Sequence, residues 1–231
     1  MLMKKNLQTA VTGFTAMLFI SASLLITGCS KDNTSSAERK SSGTVVIPVV
    51  KGDSCDLKTF TQGGWGSNPH GNNPGTYQFK NFAAAFPSGL TVGCSTGYTI
   101  KLTSAQAVCN FLPCGGSAAA LTANYTDPTT VKNVLAGQLV ALSLSVGFDN
   151  HDPNFAGSPL HLGNLTIKSG TFQGMTVNQV IAEANKALGG CATNYSISDL
   201  NSILTAINEN FDNGTVNNGI LNCKEGDIIP W

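Results

Sequence analysis

Val134-Leu135-Ala136-Gly137-Gln138-Leu139-Val140-Ala141-Leu142-Ser143-Leu144-Ser145-Val146-Gly147-Phe148 carries no charge and is apolar on most helical faces. A helix that is apolar nearly all round belongs inside a protein or a bilayer. Fifteen residues are too few for a bilayer, which needs about 20. The stretch therefore predicts one central buried helix, with the rest of the fold wrapped around it. Asp127 as N-cap and Pro128 at the first helical position predict where that helix starts. The loop Asp149 to Gly163, rich in Asn, Asp, His, Pro and Gly, predicts its end, and Leu165–Ile167 reads as a short strand after it.

Further helices flank the central one. Thr103-x-x-Gln106 has capping-box spacing and opens a helix through Leu112, stopped by Pro113 and Gly115-Gly116. Thr176-x-x-Gln179 opens another, closed by Gly189-Gly190. Ser196-x-x-Asp199 starts the last, whose stripe is Ile197, Leu200, Ile203, Leu204, Ile207 and Phe211. The short link between these last two predicts antiparallel packing. Upstream, Gly63 to Gly75 reads as loop, Tyr77 to Phe86 as a short helix stopped by Pro87, and Leu90–Gly93 with Tyr98–Leu102 as a β-hairpin. The expected fold is α+β and mainly helical. An N-terminal loop and β-hairpin region packs on a bundle of about four helices with a central buried helix.

The 231 residues hold 13 basic and 13 acidic side chains, and only 11% are charged. That excludes a charge-rich disordered chain and a basic nucleic-acid binder. Residues 1–28 have the layout of a secretory signal: Lys4 and Lys5, then an apolar run from Val11 to Ile26, then small residues. Leu25-Ile26-Thr27-Gly28-Cys29 resembles the lipobox of bacterial lipoproteins. The resemblance implies cleavage before Cys29 and acylation of that Cys, palmitate included, so that the partner of the mature chain is a lipid bilayer. Ser30 resembles the residue after the Cys in lipoproteins passed to the outer membrane, and Lys31-Asp32 resembles surface-export signals. Residues 29–54 read as a flexible tether, 55–223 as one globular module and 224–231 as a C-terminal tail. The mature charge balance is 11 basic against 13 acidic.

Beyond Cys29 there are Cys55, Cys94, Cys109, Cys114, Cys191 and Cys223, an even set in an exported chain. Three disulfides are the default reading, with fifteen pairings open. Sequence proximity favours Cys191–Cys223 and Cys109–Cys114, leaving Cys55–Cys94. Zinc is disfavoured because only one close Cys pair exists.

Three loops carry candidate binding chemistry. In the first, Trp65 would be a stacking platform with His70 and Asn72 as polar partners; the alternative is a Gly-rich loop pinned by a buried Trp. In the second, Asp149, His151 and Asp152, with His161, could hold a cation such as calcium; the alternative is a helix end followed by an Asx-Pro turn. The third, Asp212 to Gly219 with Glu209 before it, has oxygen ligands but lacks the terminal bidentate Glu of a calcium loop. No nucleophile elbow, zincin, P-loop or dinucleotide motif occurs, and no catalytic residue is singled out.

Thr61-Gln62-Gly63-Gly64-Trp65-Gly66 and Gly71-Asn72-Asn73-Pro74-Gly75, with Asp152-Pro153-Asn154-Phe155 and Ala206-Ile207-Asn208-Glu209-Asn210-Phe211, carry a family likeness over residues 55–223. The chain resembles an uncharacterised extracellular module of secreted and surface proteins in Bacteroidota-type bacteria. The resemblance implies a surface-exposed or secreted role and assigns no functional residue. The expectation is a non-catalytic binding or adhesion module, for a glycan or a surface protein, with no cofactor and no nucleic acid. The alternative is an anchored hydrolase of extracellular polymer, which would need two converging carboxylates.

Overall fold

The computed structural model describes residues 55–223. The expected signal peptide, Cys29, and the expected tether and tail lie outside the described residues. The module is α+β and mainly helical. In chain order it has α1 (Gln62–Trp65), α2 (Pro74–Ala85), β1 (Leu90–Gly93), β2 (Thr99–Leu102), α3 (Ala105–Phe111), β3 (Tyr125–Thr126), α4 (Val134–His151), α5 (Val177–Gly189) and α6 (Ile197–Asn210). A 3-10 turn at Leu162–Asn164 lies between α4 and α5.

The centre is α4. Leu135, Leu139, Leu142, Leu144 and Phe148 are fully buried, and α6, α5, β1, α2 and α1 all pack against it. Its start differs from the expectation. Asn133 is the N-cap, accepting from the Ala136 N–H at 3.2 Å. Asp127 instead accepts from the Thr103 N–H at 2.7 Å and from its hydroxyl at 2.6 Å, so it braces the turn between β2 and α3. That engagement also removes Thr103 from its expected cap. Ser104 caps α3, accepting from the Ala107 N–H at 3.1 Å, and the Thr103/Gln106 capping box does not form.

The second capping box forms fully at the start of α5. Thr176 Oγ1 accepts from Gln179 N–H at 3.1 Å, and Gln179 Oε1 accepts from Thr176 N–H at 2.8 Å. Gly190, at φ 77°, ends α5 in the left-handed cap that other residues adopt only with strain. Ser196 caps α6, accepting from Asp199 N–H at 3.0 Å.

The sheet has the order β1-β2-β3. Leu90 to Gly93 pair antiparallel with Thr99 to Leu102, and β3 adds parallel to β2. The hairpin leans on α5: the Gly93 N–H donates to Asn185 Oδ1 at 2.7 Å, and Tyr98 N–H donates to Gly189 O at 2.9 Å. The expected strand at Leu165–Ile167 is reduced to isolated bridges, Thr166 with Thr176 and Ile167 with Leu221.

Two disulfides join distant parts of the chain. Cys94–Cys191 ties the end of β1 to the residue after the α5 cap, and Cys55–Cys223 ties the first described residue to the last. Both replace the pairing that proximity favoured. Cys109 and Cys114 are free thiols. The Cys114 thiol sits between Asn133 N–H and Val131 O, both at 3.2 Å, and burial pushes its pKa up. The Cys109 thiol, within α3, donates to Asn68 Oδ1 at 3.4 Å.

Candidate functional site

The segment after Cys55 builds the site. Thr59 is completely buried and is held by the exit of α6. Its N–H donates to Phe211 O at 3.0 Å, its carbonyl accepts from Asn213 N–H at 3.0 Å, and its hydroxyl accepts from Phe211 N–H at 3.1 Å. This clamp sets Lys58 beside Asn213. It also holds Asn213 at φ 55°, a left-handed conformation that Asn tolerates better than most residues.

The loop after α4 forms the facing wall. Asp152 takes the C-cap of α4, and its carboxylate accepts from the Asn154 N–H at 2.9 Å and from the Tyr77 hydroxyl at 2.8 Å. Those donors hold Asp152 below the usual carboxylate range; burial and the Asp152 charge push the Tyr77 phenol up. Phe155, only 2% exposed, drops inward from this loop, and the Lys58 ammonium lies 5.8 Å from its ring centroid. Gly157 lets the loop close against the Asp56 carboxylate, which a Cβ there would strike.

The third wall is the start of α2. Asn73 caps it, accepting from Thr76 N–H at 2.9 Å while its amide donates to Asn68 O at 2.7 Å. Its neighbour Asn72 is exposed.

Two adjoining depressions result. One, of about 550 Å³, lies between Asp56, Lys58, Asn154, Gly157 and Asn213. The other, of about 160 Å³, lies between Lys58, Asn72, Tyr77, Asn154 and Asn213. They share Lys58, Asn154, Phe155 and Asn213, and so form one groove. All three loops with candidate chemistry thus reach one groove, each through an Asn. Lys58 and Phe155 had no distinguishing signal beyond a lone aromatic in a polar loop and one lysine among few.

The predicted site residues divide accordingly. Asn72 lines the groove, and His70 is exposed on the same loop without lining it. Trp65 is a correction: it is 0% exposed and cannot stack on a ligand. Its indole N–H donates to Ser145 Oγ on α4 at 3.2 Å, and its ring packs among Phe60, Phe148 and Phe155. It supports the groove from beneath, since Phe155 stacks on it at 6.2 Å between centroids.

Asp149, His151 and Asp152 are not brought to one point. Asp149 is buried and accepts from Leu162 N–H at 2.8 Å, with His161 Nδ1 at 3.4 Å. Burial raises its pKa, against the pull of those two partners. Asp152 faces Tyr77, and His151 is exposed. No group of three or more His, Cys, Asp or Glu suited to a metal occurs among the described residues. The Asp212 loop is a tight turn, with the Thr215 N–H and hydroxyl both donating to Asp212 O at 3.1 Å. No family profile, no curated protein and no solved structure matches the chain.

Proposed function

We propose that the chain is a lipid-anchored bacterial surface protein whose 55–223 module is a non-catalytic binding or adhesion module, with the Lys58–Phe155 groove as its binding site. The observation that carries this is the convergence of three loops, distant in sequence, on one polar groove. Loops carry binding residues more often than scaffold does, and here a rigid helical core positions them. The lipobox at Cys29 and the likeness to Bacteroidota surface modules support a place outside the cell. Among the described residues, Asp56 is the only acid lining the groove, whereas hydrolysis of a glycosidic bond canonically uses two carboxyls about 5–9.5 Å apart. That favours binding over hydrolysis.

The test is made on cells producing the full chain. Radiolabelled palmitate should enter the wild type and not Cys29→Ala, and protease added to intact cells should remove the module. Incubation with a panel of polysaccharides should release no reducing ends. Unlabelled wild type, a module protected from external protease, or release of reducing ends would each overturn the part it addresses.

A further inference from the structure

Resting on that groove as the binding site, we propose that its ligand is a neutral, hydroxyl-rich carbohydrate chain lying along the two depressions across Lys58 and Phe155. The lining chemistry is the first argument. Asn72 and Asn213 are exposed, and their side-chain amides make no hydrogen bond to other described residues; Asn154 keeps its amide oxygen uncommitted. Each such amide offers donors and an acceptor side by side. Sugar hydroxyls are themselves both donors and acceptors, so neighbouring hydroxyls pair with an amide in both directions at once. By contrast, the amide of Asn73 is fully engaged in its own loop. The groove therefore exposes the amides that local structure does not use.

Charge is the second argument. Among the described residues, the groove is lined by one Lys and one Asp, two residues apart on one segment. Residues 55–223 contain no arginine, the side chain whose planar fork best matches carboxylate and phosphate. A polyanion would find a single lysine opposed by a nearby carboxylate.

Shape is the third. The groove is open and continuous through the residues its two halves share. Its two phenylalanines, Phe60 and Phe155, are nearly closed off, so it lacks the exposed apolar anchors on which peptide recognition usually turns. The half-buried Tyr77 ring, fixed by its bond to Asp152, leaves one narrow apolar strip for the C–H faces of a sugar.

The experiment uses the detergent-solubilised full chain on a panel of immobilised neutral oligosaccharides, heparin, polygalacturonate and unmodified peptides. Three variants are compared: Asn72→Ala, Asn213→Gly (which keeps the left-handed backbone) and Lys58→Gln. Binding to at least one neutral oligosaccharide is expected. Asn72→Ala and Asn213→Gly should each weaken it about five- to tenfold, with melting temperature unchanged, and Lys58→Gln by less than about threefold. Capture of heparin or polygalacturonate that Lys58→Gln abolishes would overturn the neutral class. Peptide capture lost in Asn213→Gly would overturn the carbohydrate assignment but leave the groove as the binding site. If no probe is captured, or the captured probe is unaffected by all three variants, this proposal fails. The latter result also removes the groove reading.

Discussion

The Tyr77 hydroxyl on α2 donates to the Asp152 carboxylate at the end of α4, 2.8 Å away and 75 residues on. This bond joins two walls of the groove. Tyr77→Phe keeps the ring and removes only the donor. It should destabilise the module by about 1 kcal/mol at pH 7, read as a lower urea midpoint. Its effect should shrink in acid. Asp152 has a depressed pKa, so its contribution is present above the unfolded carboxylate pKa and is lost as pH falls through the lower folded value.

Asp149 carries the opposite sign. Its folded pKa is raised, so the folded state holds the proton more tightly than the unfolded one. Stability should therefore fall as pH rises from the unfolded carboxylate value, about 3.9, through the raised folded one. Asp149→Asn keeps an acceptor for the Leu162 N–H and should flatten this slope in the range above the unfolded carboxylate value. Urea midpoints across that window check it; an unchanged slope would assign the dependence elsewhere.

Trp65→Ala should cost about 3–5 kcal/mol, because it empties the centre of the aromatic cluster. Trp65→Phe should cost less, since the Ser145 hydroxyl keeps its own bond to Ala141 O. Thermal melts of both variants give the ranking, and equal stability of Trp65→Ala and wild type would contradict burial of the indole.

Non-reducing peptide mapping should recover Cys55 linked to Cys223 and Cys94 linked to Cys191. In the native protein, iodoacetamide should label the half-buried Cys109 well before the buried Cys114, whose raised pKa also lowers its thiolate fraction. Replacing Cys55 and Cys223 by Ser should cost about 2–5 kcal/mol, given their sequence separation of 168.

The helices were legible because their signals are local. A run apolar nearly all round marked α4, an apolar stripe at helical spacing marked α6, and the Thr176 and Ser196 caps lie where the sequence puts them. The misreadings arose where a tertiary partner outbid a local rule. Asp127 has the makings of an N-cap, yet Thr103, distant in sequence, claims both its oxygens, and Asn133 takes over six residues later. The disulfides fail for the same reason: proximity along the chain says nothing of which ends meet. The site was half legible. Asn72 and the loops containing Asn154 and Asn213 stood out singly, but their meeting depends on the Thr59 clamp to Phe211 and Asn213, which no spacing announces.

The Cys55–Cys223 bond has a mechanical consequence. It makes the chain enter and leave the module at one covalent knot, with Asp56 and Lys58 of the groove the next residues along. A pull on the Asp56–Lys58 wall of the groove is therefore passed directly to the knot, while the Asn72, Asn154 and Asn213 walls pass theirs to α2, α4 and α6.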